Sequence, residues 1–411
     1  MKRIEHSDGE TVGEKPRTQV APTYGRRAIL GGLAVLPAIA IAGCGGDDDD
    51  EAPAPTGTAP QDRTKAPTDA PTSAATSASP TAQRSPAPAA TTAATTSNLY
   101  FPPVTGEWEK ADPAKTGWSP AGLERLVTLV KDSKSATFMM LVGGRILTEN
   151  YYFSAVTATS ANDVASVQKS VVSTLIGIAR EKGLLTLEDK VSKYLPVGWS
   201  KATPADEGKI TILHLITMTS GLDPRTLRKV AEPGTTYDYN TDAYQKTRPL
   251  LEKAASKDIN AITREWLFTA IGVSELTKWE VRPDAGTDAT GAAFWGLNMT
   301  ARDMGRFGLV SQRRGLWEGK QLVKRSWYDD AWASSKQKPD YGYLWWLMGK
   351  RKIAGAPDDW VAALGAKDQK IYVVPSLDLV VTRQGLAAKE ESENSSDFDI
   401  VLFKAIAAAR A

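Results

Sequence analysis

The sequence holds one cysteine and two histidines in 411 residues, and each scarcity closes off a class of chemistry. A single thiol cannot form an intramolecular disulfide, and so few thiol and imidazole groups offer no cluster of the kind that holds zinc. No motif calls for a cofactor. His6 lies in a segment with the features of an export signal, which leaves His214 alone for any histidine-based triad. His214 sits within Ile212-Leu213-His214-Leu215-Ile216, an apolar helical stretch where a packed imidazole that orients a loop is the expected role. An excess of one charge is also missing. Beyond residue 43 acidic and basic side chains balance, which argues against nucleic acid as a partner.

The N-terminal part lacks the aromatic residues of a packed interior, since most of the 12 tryptophans lie beyond Phe101. Arg26-Arg27 precedes an apolar stretch from Ala28 to Ala42 that is short and interrupted by Gly31, Gly32 and Pro37, a poor permanent membrane span. Paired arginines before such a stretch read as a twin-arginine export signal. The stretch ends in Ile41-Ala42-Gly43-Cys44, which resembles the lipobox of bacterial lipoproteins. Residues 1–43 are therefore expected to be a signal peptide and Cys44 the lipidated residue, anchoring the exported chain to the outer face of the bacterial cytoplasmic membrane. Residues 44–98 combine an acidic run with Pro, Ala, Thr and Ser, too little apolar surface to offset the entropy of ordering, and are expected to be an extended tether.

Residues 99–411 carry the patterns of a folded domain. Ser119-Pro120 reads as an N-cap and first helical residue, with Leu123, Leu126, Val127 and Val130 at helical spacing. Two apolar runs, 138–142 and 145–153, flank Gly143-Gly144 and predict a hairpin. A mostly helical subdomain is expected over about 184–299, crossed by turns at Ser220-Gly221 and Pro233-Gly234. Thr300 with Asp303 predicts a capping box and a helix through Phe307. Strands are expected at 341–348, 360–364, 369–374 and 379–382, then a closing helix over 398–408. Sheet at both ends of a helical middle predicts a two-lobed α/β protein of the α+β kind, with its site between the lobes.

With a histidine triad set aside, a serine activated by lysine remains. Ser166-Val167-Gln168-Lys169 separates hydroxyl and ammonium by three residues, close to one helical turn, so both project from one face. The apolar Val171, Val172, Leu175, Ile176 and Ile178 predict a buried helix, a setting that favours the neutral lysine a proton acceptor needs. Ser335-Lys336-Gln337-Lys338 has the same spacing but lies in a polar stretch before Pro339, where a surface loop is expected. Glu232 to Thr241 joins a Pro-Gly turn to an aromatic cluster, and a loop-borne tyrosine there can relay protons or simply pack. Trp295, Trp345, Trp346 and Trp360 either line a pocket or, for most of them, fill the core.

Ser166-x-x-Lys169, Thr217-Met218-Thr219-Ser220-Gly221-Leu222 and Pro233-Gly234-x-x-Tyr237-x-Tyr239 occur in order, followed by Met299 to Asp303, Gly305 to Gly308, Gly315 to Lys320 and Tyr372 to Pro375. This set resembles the β-lactamase-related serine hydrolases, which include class C β-lactamases, D-alanyl-D-alanine carboxypeptidases, certain esterases and the 6-aminohexanoate-dimer hydrolases. The resemblance implies an antiparallel sheet flanked by helices plus a mostly helical subdomain, as in β-lactamases and transpeptidases. It makes Ser166 the acylated nucleophile, Lys169 and Tyr239 its proton carriers, and the N–H groups of Ser166 and Ala366 the oxyanion hole. The family's Tyr-x-Asn element reads Tyr239-Asn240-Thr241 here, so Asn240, Thr241 and Gly365 are the substrate-contacting positions it implies. Its late-strand Lys-Thr-Gly is replaced by Ala363-Leu364-Gly365, which removes a cation for a substrate carboxylate. The literal Lys115-Thr116-Gly117 precedes the nucleophile and reads as coincidence. Both departures favour an esterase or amidase, in the manner of the 6-aminohexanoate-dimer hydrolases, over penicillin hydrolysis, and the missing late-strand lysine counts against a D-alanyl-D-alanine carboxypeptidase. A non-catalytic penicillin-binding-like protein is opposed by intact Ser166, Lys169 and Tyr239 and kept open by the altered Thr241 and Ala363.

Overall fold

A computed structural model describes residues 99–388 and 397–410. The expected signal peptide, Cys44 and the tether lie outside the described residues.

Strands β1 (Ser135–Val142) and β2 (Arg145–Tyr151) form the expected hairpin, with Val142 opposite Arg145. Gly143 and Gly144 have φ of 59° and 82°, left-handed backbone that glycine adopts without steric cost and whose twist suits adjoining strands. β3 (Asn162–Asp163), β4 (Lys278–Val281) and β5 (Trp295–Met299) make a small sheet in the order β3-β5-β4. β6 (Leu316–Trp317) pairs with β7 (Lys320–Gln321). β8 (Val361–Gly365), β9 (Gln369–Val374) and β10 (Leu379–Gly385) complete the main sheet, antiparallel throughout, in the order β2-β1-β10-β9-β8.

The main sheet is covered on both faces. Alternation along β1 sends Phe138 and Met140 into a cluster with Trp118, Leu126, Trp360, Leu402 and Phe403, contributed partly by helices Pro120–Asp132 and Phe398–Ala408. Met139 and Leu141 face the other way, into the larger core with Val171, Leu175, Met304 and Phe307. Helix Ala301–Gln312 lies close against that second face because Gly308 has no side chain: a Cβ there would sit 2.4 Å from Val380 Cγ1.

Three expectations change. Residues 341–348 form no strand, because Leu344 turns back at φ 60° and its carbonyl accepts a bond from Ser170 Oγ; Trp346 alone bridges to Ala362 at the edge of β8. The stretch assigned to the helical subdomain contains β4 and β5, and its helices are short, opening at the caps Thr203, Thr211, Asn240 and Asp258. Thr300 caps its helix through the Asp303 N–H, but the Asp303 carboxylate bonds Ser274 and Thr277 instead of closing a box. The box is at Thr211, where the His214 side chain accepts the Thr211 N–H. Among the described residues no helix is long and apolar enough to cross a membrane.

Candidate active site

Ser166 lies in a 3-10 turn, Ala165–Val167, that runs directly into helix Gln168–Glu181. Burial of that helix from Gln168 to Ala179 follows from its apolar composition and carries Lys169 inside with it. Lys169 is 2% exposed. Its Nζ stands 2.9 Å from Ser166 Oγ and 3.3 Å from Thr241 Oγ1, and it faces the rings of Tyr239 and Tyr244 at 5.0 and 4.6 Å. Burial lowers the Lys169 pKa from its ordinary 10.5 to about 7, with the positive charge of Arg282 adding to the effect. A substantial fraction of this amine is therefore neutral near neutral pH.

Tyr239 belongs to the loop that follows the Pro233-Gly234 turn. Its ring lies between Trp346, stacked at 6.0 Å, and Tyr341, edge-on at 6.2 Å, which fixes its direction. Burial pushes its phenol up to about 12, partly offset by a hydrogen bond with the Ser166 side chain. The two groups expected to carry protons are thus pushed apart, the amine toward the free base and the phenol firmly toward the protonated form.

Of the next two residues, only Thr241 reaches the site. Asn240 is 1% exposed, its Oδ1 accepting from Ala243 N and its Nδ2 donating to Leu222 O. The expectation that Asn240 contacts substrate is corrected: an asparagine that caps helix Thr241–Gln245 has its amide fully used inside.

Ser166, Tyr239 and Thr241 open into a cavity of about 450 Å³, walled by Pro224, Trp346, Leu364, Gly365 and Ala366. Gly365, at the end of β8, is required by close approach, since a Cβ there would lie 2.6 Å from Val164 O and 3.0 Å from Ser166 N. Trp346 is the one member of the tryptophan set at this cavity; Trp345 and Trp360 are fully buried, and Trp295 supports Arg248. Sequence reasoning missed Pro224 and Tyr244. Nothing distinguished Pro224 from other turn prolines, while Tyr244 lies one helical turn after Asn240 and was findable once that cap was placed.

The rival motifs stay apart from this constellation. Ser335 Oγ is engaged with the backbone of Lys338, whose ammonium pairs with Asp340 at 2.7 Å. Lys115 is exposed on a short 3-10 turn ahead of the first helix. Among the described residues no group of three or more His, Cys, Asp or Glu converges as metal ligands do.

Residues 123–398 match the model of a family described as Beta-lactamase. The chain is 22% identical over 329 residues to the 6-aminohexanoate-dimer hydrolase of Paenarthrobacter ureafaciens, covering 68% of this chain and 81% of that protein. A putative β-lactamase from Bacteroides dorei superposes with a TM-score of 0.58 at 19% identity, over 70% of this chain and 98% of that one. A putative 6-aminohexanoate-dimer hydrolase from Bacillus anthracis gives 0.56 at 18%, over 75% and 89%. At these identities the structural likenesses speak to the fold.

Proposed function

The chain belongs to the β-lactamase family, and from that premise we propose that it is a serine hydrolase acting through an acyl-enzyme on uncharged esters or small amides. Neutral Lys169 takes the proton from Ser166 as Oγ attacks the substrate carbonyl. The N–H groups of Ser166 and Ala366 stabilise the oxyanion. Tyr239, protonated at rest, passes its proton to the departing alcohol or amine as it takes one from the Lys169 ammonium. Water then attacks the acyl-serine, giving its proton back along the same path and releasing the acid. Thr241 steadies Lys169 in the place that the family's Tyr-x-Asn element gives to asparagine.

The observation that carries this reading is the buried Lys169 amine 2.9 Å from the Oγ of Ser166, a serine that opens on a cavity whose eight lining residues carry no charge. A substrate carboxylate would lose hydration there without gaining a counter-ion, which disfavours D-alanyl peptides and penicillins. A hydrolysis screen with p-nitrophenyl esters, linear amides, D-alanyl-D-alanine peptides and a chromogenic cephalosporin tests this. Turnover is expected for esters and neutral amides; a preference for the carboxylate-bearing substrates would overturn the specificity argued here. The 6-aminohexanoate-dimer hydrolase likeness supports linear amides as the amide class to try first.

We also propose that Cys44 carries a lipid and that the chain is exported, supported by Arg26-Arg27 and Ile41-Ala42-Gly43-Cys44.

A further inference from the structure

Ala165, immediately before the nucleophile, has φ 49°, a left-handed conformation that a residue with a side chain keeps only when its surroundings hold it. Three contacts hold this turn. Val164 N donates to Leu297 O at 3.0 Å, and the Val164 carbonyl rests against Gly365, where no side chain intervenes. The Ala165 N–H donates to Asp163 Oδ1 at 2.8 Å. That carboxylate is gripped from the far side by Arg282, whose Nε reaches Oδ2 at 2.5 Å and Nη2 reaches Oδ1 at 2.6 Å, a two-point fork that fixes the plane of the carboxylate.

The small sheet makes the fork possible. Asp163 pairs with Asn298 across β3 and β5, and Arg282 directly follows β4 on the other side of β5. To reach Asp163 the guanidinium crosses β5 at Gly296, where a Cβ would lie 2.5 Å from Arg282 Nε. Glycine at 296, the fork and the left-handed alanine are thus one arrangement, and it ends at the backbone N–H of Ser166.

We propose that Asp163, locked by Arg282, is a positioning residue that sets the direction of the Ser166 hydroxyl and N–H by holding the Ala165 turn. This rests on the reading of Ser166 as the nucleophile. A rotation at Ala165 would swing the hydroxyl away from Lys169 and the N–H away from the oxyanion, so the role belongs to the rate of acylation and not to substrate affinity. The Arg282 charge also bears on Lys169, whose pKa it helps to lower.

The test compares Asp163→Asn with Asp163→Ala in the full chain. Both lose the ion pair with Arg282, and only asparagine keeps an acceptor for the Ala165 N–H. Covalent labelling by a fluorophosphonate, with kcat and KM on a p-nitrophenyl ester, is measured at about pH 9, where the Lys169 amine is largely neutral. The asparagine variant is expected to label within about threefold of wild type and the alanine variant about 10- to 100-fold slower, with KM in both near wild type. Equal labelling rates for the two would reduce the pair to a structural ion pair and overturn the proposal. Should Asp163→Ala not fold, Arg282→Gln carries the test: it frees the carboxylate while leaving it in place, and is expected to lower kcat about fivefold with KM unchanged. An unchanged kcat there would overturn the lock. A wild-type chain that does not label overturns the hydrolase reading itself, whereas labelling of the wild type with no difference among variants removes only the positioning role.

Discussion

At the scale of single residues, the proposed chemistry rests on two groups whose proton affinities are driven in opposite directions by the same burial. Lys169 is brought down to about 7 and Tyr239 pushed up to about 12, so acylation should rise with pH through an apparent pKa near 7 and stay level well into the alkaline range. A kcat/KM profile on a neutral ester checks this, and a fall through pH 7 would reverse the roles assigned. The same shift bears on folding. Between about 7 and 10.5 the unfolded chain holds a proton at Lys169 that the folded chain has released, so stability from this group rises with pH across that window and is level outside it. Urea titrations should therefore show wild type gaining on Lys169→Met as pH rises from neutral to about 10. Tyr239→Phe keeps the ring against Trp346 and Tyr341 and removes only the phenol, so it should slow acylation by about 10²- to 10⁴-fold with little change in stability. Its effect should be strongly non-additive with that of Lys169→Ala, as single-turnover rates will show. The order and spacing of the motifs pointed to Ser166, Lys169 and Tyr239, and the structure brings these three side chains together. It misled at Asn240, because whether an amide faces a cavity or caps a helix depends on where the helix begins, a boundary that two adjacent polar residues leave open.

At the scale of elements, glycines determine how closely the site's supports approach it. Gly308 lets helix Ala301–Gln312 settle on β10, and Gly308→Ala should cost about 1–3 kcal/mol in chemical denaturation, since Val380 would have to move. Gly365→Ala pushes instead on Val164 O and Ser166 N, so its loss should fall on activity as well as stability. Local signals decided the elements that proved readable: Ser119-Pro120 opens its helix, and Gly143-Gly144 closes its hairpin. Tertiary contacts decided those that did not. The 341–348 segment has the aromatic content of a strand, yet Leu344 is held by Ser170 and by Ile216, partners far away in sequence. Asp303 has the spacing of a capping box, but Ser274 and Thr277 compete for its carboxylate and win.

At the scale of the whole molecule, the described domain places Ser166, the proposed nucleophile, where the edge strand β8 meets the buried helix Gln168–Glu181, with an uncharged cavity in front. The proposed lipid on Cys44 predicts that Cys44→Ser releases the protein from membranes in cell fractionation, and unchanged retention would refute the anchor. Of the two Ser-x-x-Lys serines, Ser166 is the proposed nucleophile and Ser335 a loop residue. Peptide mapping by mass spectrometry after fluorophosphonate treatment tests it directly. An adduct on Ser166 is expected, one that Ser166→Ala abolishes and Ser335→Ala leaves intact; an adduct on Ser335, or labelling that survives in Ser166→Ala, would contradict the assignment of Ser166 as nucleophile.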